Sequence, residues 1–125
     1  MICGIGVDAV TISELKRLLE GPDDFASYTF SERERSQATM QTAQKLAGCF
    51  AAKEAVFKAV AHLIPDKTFD FRFVELLRDK DGSPFIASNE VMADVLESAG
   101  VNALHVSLTS EQDMVLAFVV AESGT

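Results

Sequence analysis

Positive charge is scarce in this sequence. Its 125 residues carry 11 Lys and Arg against 19 Asp and Glu, a net charge of −8. No basic patch is available to track a phosphodiester backbone, which argues against nucleic acid as a partner. Cysteine is nearly absent, with only Cys3 and Cys49. The N-terminus lacks the basic region that precedes the apolar stretch of a secretory signal. The two cysteines are therefore expected as free thiols in a reducing compartment, which points to the cytoplasm. There is no run of about 18 apolar residues, so no membrane span is expected. The only histidines, His62 and His105, are far apart. No Cys/His spacing suggests zinc. Linkers, repeats and low-complexity tracts are also missing. What remains is 48% apolar. That suffices for the core of one domain over residues 1–125, although so short a chain gains from oligomerisation.

Pattern along the chain gives the elements. Residues 1–10 alternate small and apolar side chains and read as a first strand. Thr11 to Glu20 reads as a helix with Ile12, Leu15, Leu18 and Leu19 on its apolar face, stopped by Gly21-Pro22-Asp23-Asp24. Phe25 to Phe30 predicts a helical turn, and Ser31 with Glu34 forms a capping box for another helix. The polar stretch Ser36–Gln44 leads into Lys45–Val60, rich in Ala, Lys and Glu and free of Pro, which predicts a long central helix. Pro65-Asp66 marks a turn. Phe69, Phe71 and Phe73 alternate with Asp70 and Arg72, the period of a strand extended by Leu76 and Leu77. Asp81-Gly82 predicts a hairpin turn before Phe85-Ile86. Ser88 or Asn89 caps a helix that ends at Gly100. Val101–Thr109 and Met114–Glu122 predict two last strands joined by residues 110–113, and Met92 and Met114 read as core filler. The order is that of an α+β domain with a largely antiparallel sheet.

Two segments depart from plain patterning. In the central helix, Leu46, Phe50, Phe57, Val60 and Ile64 define an apolar stripe, and Lys53 lies inside it. Lysine is rarely buried unless paired, so Lys53 is either snorkelling or held for a purpose. Glu54 and Lys58 stack at i,i+4 beside Ala47, Ala51 and Ala55, whose small side chains leave room for another group to approach. A plain surface ion pair is one reading of Glu54 and Lys58. In the first strand, Asp8 interrupts an apolar run. It is either an N-cap for the following helix or a hard oxygen ligand. Gly4 and Gly6 before it would let a backbone or a phosphate come close.

Gly4-Ile5-Gly6-Val7-Asp8, then Leu46-Ala47-Gly48-Cys49-Phe50-Ala51-Ala52-Lys53-Glu54-Ala55 with Lys58-Ala59, then His105-Val106-Ser107-Leu108-Thr109 follow one another in the chain. Together they resemble the three signatures of the holo-acyl-carrier-protein synthase family, the small phosphopantetheinyl transferases. The resemblance runs from Ile2 to Glu122.

It implies the 4′-phosphopantetheinyl transferase fold, assembled as a homotrimer with active sites between subunits. It implies magnesium-dependent transfer of the 4′-phosphopantetheine arm from coenzyme A to a serine of an acyl carrier protein, releasing adenosine 3′,5′-bisphosphate. By position, Asp8 and Glu54 match the metal ligands, and Glu54 and Lys58 the catalytic residues. Lys58 matches the lysine on the coenzyme A phosphates, with Lys53, His105 and Ser107 also expected at the cofactor. Lys53 would act in support, and His105 reads equally as a satisfied strand histidine. The serine proton goes to Glu54 or to a metal-bound water. Fatty-acid, polyketide and peptide-synthase carriers are all open.

Several positions depart from the family pattern: Glu14 and Cys49 stand where basic residues are usual, Ala61-His62-Leu63 where Gly-Thr-Gly is usual, and Ser110 and Met114 alter the last motif. The alternative they raise is a non-catalytic homologue serving as an interaction or structural subunit in a carrier-protein pathway. An acidic chain steers an acidic carrier poorly, so docking is expected to lean on Leu15, Leu18 or Leu19, with Lys16 and Arg17 as the nearby cations.

Overall fold

The structure, a computed structural model, describes residues 1–22, 24–65 and 69–124. Asp23, in the expected stop after the first helix, and Asp66, in the expected Pro65-Asp66 turn, lie outside the described residues. The chain runs β1 (Ile2–Thr11), α1 (Ile12–Leu19), α2 (Phe25–Thr29), α3 (Glu32–Gln37) and α4 (Thr42–Val60). It continues with β2 (Leu76–Arg78), β3 (Pro84–Ile86), α5 (Glu90–Ala99), β4 (Ala103–Glu111) and β5 (Met114–Glu122). Strands β1, β5 and β4 form an antiparallel sheet in that order, and β2 and β3 form a separate antiparallel hairpin. This is the expected α+β architecture with its long central helix.

Side chains alternate across the sheet. Gly4, Gly6, Asp8 and Val10 of β1 lie opposite Ala121, Val119, Ala117 and Val115 of β5, and this inner face meets α4. The approach is close. A Cβ at Gly4 would stand 1.8 Å from the Ala59 carbonyl oxygen, and one at Gly6 1.8 Å from that of Ala55. Of the two visitors the glycines could admit, the chain's own helix backbone is the one present. The small edge of α4 is filled in the same way. Ala47, Ala51 and Ala55 are fully buried, and α4 packs chiefly against β1 and β5. The helix is consequently buried on most of its circumference, while Phe50 and Phe57 of the expected stripe are only half-buried. Ile64 lies beyond the helix, after a 3₁₀ turn at Ala61–Leu63.

Lys53 is held for a purpose. Its side chain has no exposed surface, and its ammonium lies 2.6 Å from Glu34 Oε1. It also donates to the Phe71 carbonyl at 2.7 Å and to the Val74 carbonyl, and sits 5.8 Å from the centre of the Phe30 ring. Three donors thus meet three acceptors. Glu34 is equally occupied: it caps α3 through Ser31 N–H at 3.0 Å, and its other oxygen accepts from Leu76 N–H at 3.0 Å. Burial pushes the Lys53 ammonium below its ordinary range, and Glu34 opposes the shift. One ion pair thereby joins α3, α4, β2 and the Phe71–Val74 segment.

Other expectations are corrected. Phe71–Phe73 is a 3₁₀ turn and not a strand. Asp70 caps it by accepting from Arg72 N–H at 2.9 Å, and Phe69 and Phe71 stack on Phe57. Asp8 is not an N-cap, because β1 continues to Thr11; Asp113 from the β4–β5 turn caps α1 instead, accepting from Ser13 N–H at 3.0 Å. That turn is shorter than expected, with Glu111 paired to Met114 and Gln112 at φ 55°. Met92 is core, but Met114 is exposed on the outer sheet face. Asn89, not Ser88, caps α5.

Lys53→Met leaves Glu34 charged in the interior without its partner. The expected loss is about 3–5 kcal/mol in urea unfolding, and adding Glu34→Gln should recover part of it. Equal stability of Lys53→Met and the parent would refute this account of the pair.

Candidate active site

Asp8 follows the two glycines on the inner face of β1, opposite Ala117. The backbone contact at Gly4 and Gly6 holds this stretch of strand against α4, so Asp8 emerges beside the helix edge that carries Glu54 and Lys58. Lys58 Nζ donates to Asp8 Oδ1 at 3.0 Å and to the Val7 carbonyl at 3.2 Å. The Asp8 side chain is 19% exposed and that of Lys58 51%. Lys58 therefore pairs across elements with Asp8, and the i,i+4 pair with Glu54 is not the contact it makes. Glu54 is half-buried. Burial first, and then the charge of Asp8, push its carboxyl above the usual range, while Lys58 pulls the other way.

Two carboxylates that repel each other at one spot favour a cation between them. Magnesium uses one or two protein carboxylates and fills the rest of its octahedron with water and phosphate oxygens. Among the described residues no cluster of three or more His, Cys, Asp or Glu surrounds a common point. The donor set of Asp8 and Glu54 thus fits a metal shared with a phosphate ligand and does not fit an all-protein cage.

The other sequence candidates lie elsewhere. Lys53, expected at the cofactor, is turned away from Asp8 into the interior and spends its donors on Glu34 and two carbonyls. Its role in this structure is to fix the helix that carries Glu54 and Lys58. His105 and Ser107 stand opposite Val120 and Phe118 of β5, which in turn face Ile5 and Val7 of β1. That is the outer face, so the sheet separates both residues from Asp8 within one chain. The β1 and β5 part of that face is apolar and open: Ile5 is 57%, Val7 46% and Phe118 42% exposed. His105 Nε2 meets Glu122 Oε1 at 2.7 Å.

Two residues escaped the sequence reading as partners. Glu34 showed itself only as a cap, and Glu122 only as the end of a strand. Cys49 packs under β2, with its thiol 3.6 Å from the Leu76 carbonyl, and burial pushes that thiol well above its ordinary pKa. His62, in the segment after α4, meets the Cys3 carbonyl at 3.1 Å. Of the apolar α1 residues, Leu15 is buried in the core and only Leu18 is well exposed, near an exposed Tyr28. Arg17 lies 3.6 Å from Glu14, which offsets part of its charge.

Comparison with known proteins gives consistent matches. The family model described as the 4′-phosphopantetheinyl transferase superfamily matches residues 4–119. The holo-acyl-carrier-protein synthase of Clavibacter michiganensis subsp. michiganensis is 34% identical over 122 residues, spanning 98% of this chain and 97% of the relative. The crystal structure of the Neisseria meningitidis holo-acyl-carrier-protein synthase superposes with a TM-score of 0.84 at 32% identity, covering 98% of this chain and all of that one. The ACPS–CoA complex of Chronobacterium ammoniagenes gives 0.82 at 30% identity, covering 98% of each chain.

The electrostatics of Glu54 predict a stability effect with a definite sign. Its carboxyl titrates higher in the folded state than in the unfolded chain. Stability is then lost as pH rises through that window and stays lost at neutral pH. Glu54→Gln is expected to raise the melting temperature at pH 7, with the gain vanishing below pH about 4. Calorimetry across pH checks this; a lower melting temperature at pH 7 would contradict it.

Proposed function

Because the chain belongs to the 4′-phosphopantetheinyl transferase superfamily and, within it, to the holo-acyl-carrier-protein synthase family of enzymes, we propose that it transfers the 4′-phosphopantetheine arm of coenzyme A to a serine of an acyl carrier protein or carrier domain, with magnesium and with release of adenosine 3′,5′-bisphosphate. The observation that carries this reading is the convergence of Asp8 from β1 with Glu54 and Lys58 from α4.

Asp8 and Glu54 would hold the metal by their carboxylates. When bound, magnesium supplies neutralisation of the charge spread over the pyrophosphate oxygens, the main requirement of phosphoryl-type transfer. Lys58, half exposed at the same edge, is free to turn its ammonium from Asp8 to a phosphate oxygen. Glu54 is this chain's candidate to receive the proton of the attacking serine. Lys53 supports the site from beneath by anchoring α4 to Glu34.

Assembly completes the reading. A symmetric homotrimer that covers the outer sheet face would bury Ile5, Val7 and Phe118, and would carry His105 and Ser107 of one copy toward the coenzyme A held by its neighbour. No helix among the described residues is long and apolar enough to cross a membrane. Membership of this family supports the reading of a cytoplasmic enzyme of fatty-acid biosynthesis. On the carrier side, Leu18 and Tyr28 offer apolar contact where the net charge of −8 offers little attraction.

Mass spectrometry of an apo carrier protein incubated with the chain, coenzyme A and magnesium tests the activity. A gain of the phosphopantetheine mass is expected, and it should be lost in Asp8→Ala and in Glu54→Ala while both variants keep the parent circular dichroism. Near-normal transfer by either variant would remove the metal assignment. No transfer by the parent to any carrier class would favour the non-catalytic homologue. Sedimentation is expected to give a trimer at micromolar concentration; a monomer there would count against the shared site.

A further inference from the structure

On the outer sheet face, one contact joins two ionisable side chains. His105 lies on β4 opposite Val120, and Glu122 lies two residues further along β5, opposite Ala103. The two share a face as diagonal neighbours, a spacing that long side chains bridge. Glu122 Oε1 reaches His105 Nε2 at 2.7 Å, with the side chains 47% and 60% exposed. Around them on the same face stand Ile5, Val120 and Phe118, none of which offers a polar atom. Among the described residues, the N-terminal ammonium, which donates to the Ser123 carbonyl at 3.2 Å, also lies near Glu122.

We propose that Glu122 is a positioning residue for coenzyme A binding, holding the His105 ring by Nε2 so that Nδ1 is the atom presented to an anionic ligand oxygen. The inference rests on the reading above that His105 meets coenzyme A. An ionised carboxylate only accepts hydrogen bonds, so Nε2 must carry the hydrogen in this contact. Nδ1 is then the nitrogen left to act. To meet a phosphate oxygen, which also only accepts, Nδ1 must donate as well, and the ring is then an imidazolium with Glu122 as its counter-ion.

Covering the face strengthens the pairing. A carboxylate shut in beside Ile5 and Val120 without a partner would be costly, and His105 is the partner in reach. The contact with His105 is also the main reason the Glu122 carboxyl titrates below its usual range. A carboxylate that orients a histidine from behind is a recurring device at metal sites, where its loss costs about 10–100-fold in affinity or activity. Here the same geometry would act on a phosphate ligand.

The test uses the assembled enzyme with coenzyme A, magnesium and an apo carrier. Glu122→Ala is expected to raise KM for coenzyme A about tenfold with kcat within about twofold, the mark of lost ground-state binding. Glu122→Gln keeps an acceptor without the charge and should recover part of that loss. In the coenzyme A-free enzyme at alkaline pH, nitrogen-15 spectra of the histidine rings should show His105 as a single Nε2-protonated tautomer in the parent and as mixed tautomers in Glu122→Ala. Sedimentation of both variants ensures that KM is read on the same oligomer as the parent. A normal KM in Glu122→Ala, with a raised KM in His105→Ala, would overturn the role of Glu122 and leave the reading of His105 standing. An unchanged KM in His105→Ala would overturn that reading and this inference with it.

Discussion

The ion pair between Lys53 and Glu34 is the constraint from which the rest of the structure follows. A charged ammonium at the centre of the molecule is tolerable only when every donor is used. Using them draws four segments together: the capping box that starts α3, the middle of α4, the 3₁₀ turn before β2 and the first residue of β2 itself. The pair therefore does what apolar packing alone does poorly. It sets the rotation and the axial position of α4, because a hydrogen-bonded head group tolerates far less sliding than a methyl contact does. Glu54 follows Lys53 directly in sequence. Fixing one inward fixes where the other emerges.

The same helix is located on its opposite side by an absence of side chains. Gly4 and Gly6 let β1 press against the carbonyls of Ala55 and Ala59. Asp8 is the next inward residue on that strand. Its carboxylate is thus delivered to the helix edge by backbone contact, and Lys58 fastens it there. An ion pair from below and a bare backbone from above hold α4 between them. The result is a Glu54 carboxyl raised above its usual range, first by burial and then by the nearby charge of Asp8.

Much of this was legible in residue order. Asp8 stood out because a carboxylate is out of place in an apolar strand, and Glu54 with Lys58 because i,i+4 spacing guarantees a common edge. That Lys53 was either snorkelling or held for a purpose was legible, but its partner was not, and it does not stand at the cofactor position expected of it. Glu34 lies in a separate helix, and its capping-box pattern accounted for it fully at the local level. Phe69, Phe71 and Phe73 misled for a related reason. Their alternation is that of a strand, yet Asp70 closes a local turn on Arg72 and the rings find Phe57. β4 alternates, with Leu104, Val106 and Leu108 against His105, Ser107 and Thr109, so its polar side was there to be read. β5 is apolar on both faces, so hydropathy does not say which side of it meets α4. Met114 was assigned to the core on the same ambiguity and stands on the outside.

One irregularity in β1 has a bearing on how such a chain can change over time. Between Ile2 and Gly4 the pairing with β5 shifts, so that one residue is taken up without a partner of its own. From Gly4 to Thr11 the pairing is unbroken. Each residue in that stretch has its side assigned by count alone: odd numbers to the outer face, even numbers to the helix. Gaining or losing a single codon there would exchange the two sides, turning the carboxylate of Asp8 outward and driving isoleucine or valine into the helix backbone. The bulge just ahead is the place where such a length change could be absorbed, because it already accommodates an unmatched residue. The ends of this strand therefore differ in what they can tolerate. The first two residues of the strand can drift in length, while the eight that follow can vary only by substitution.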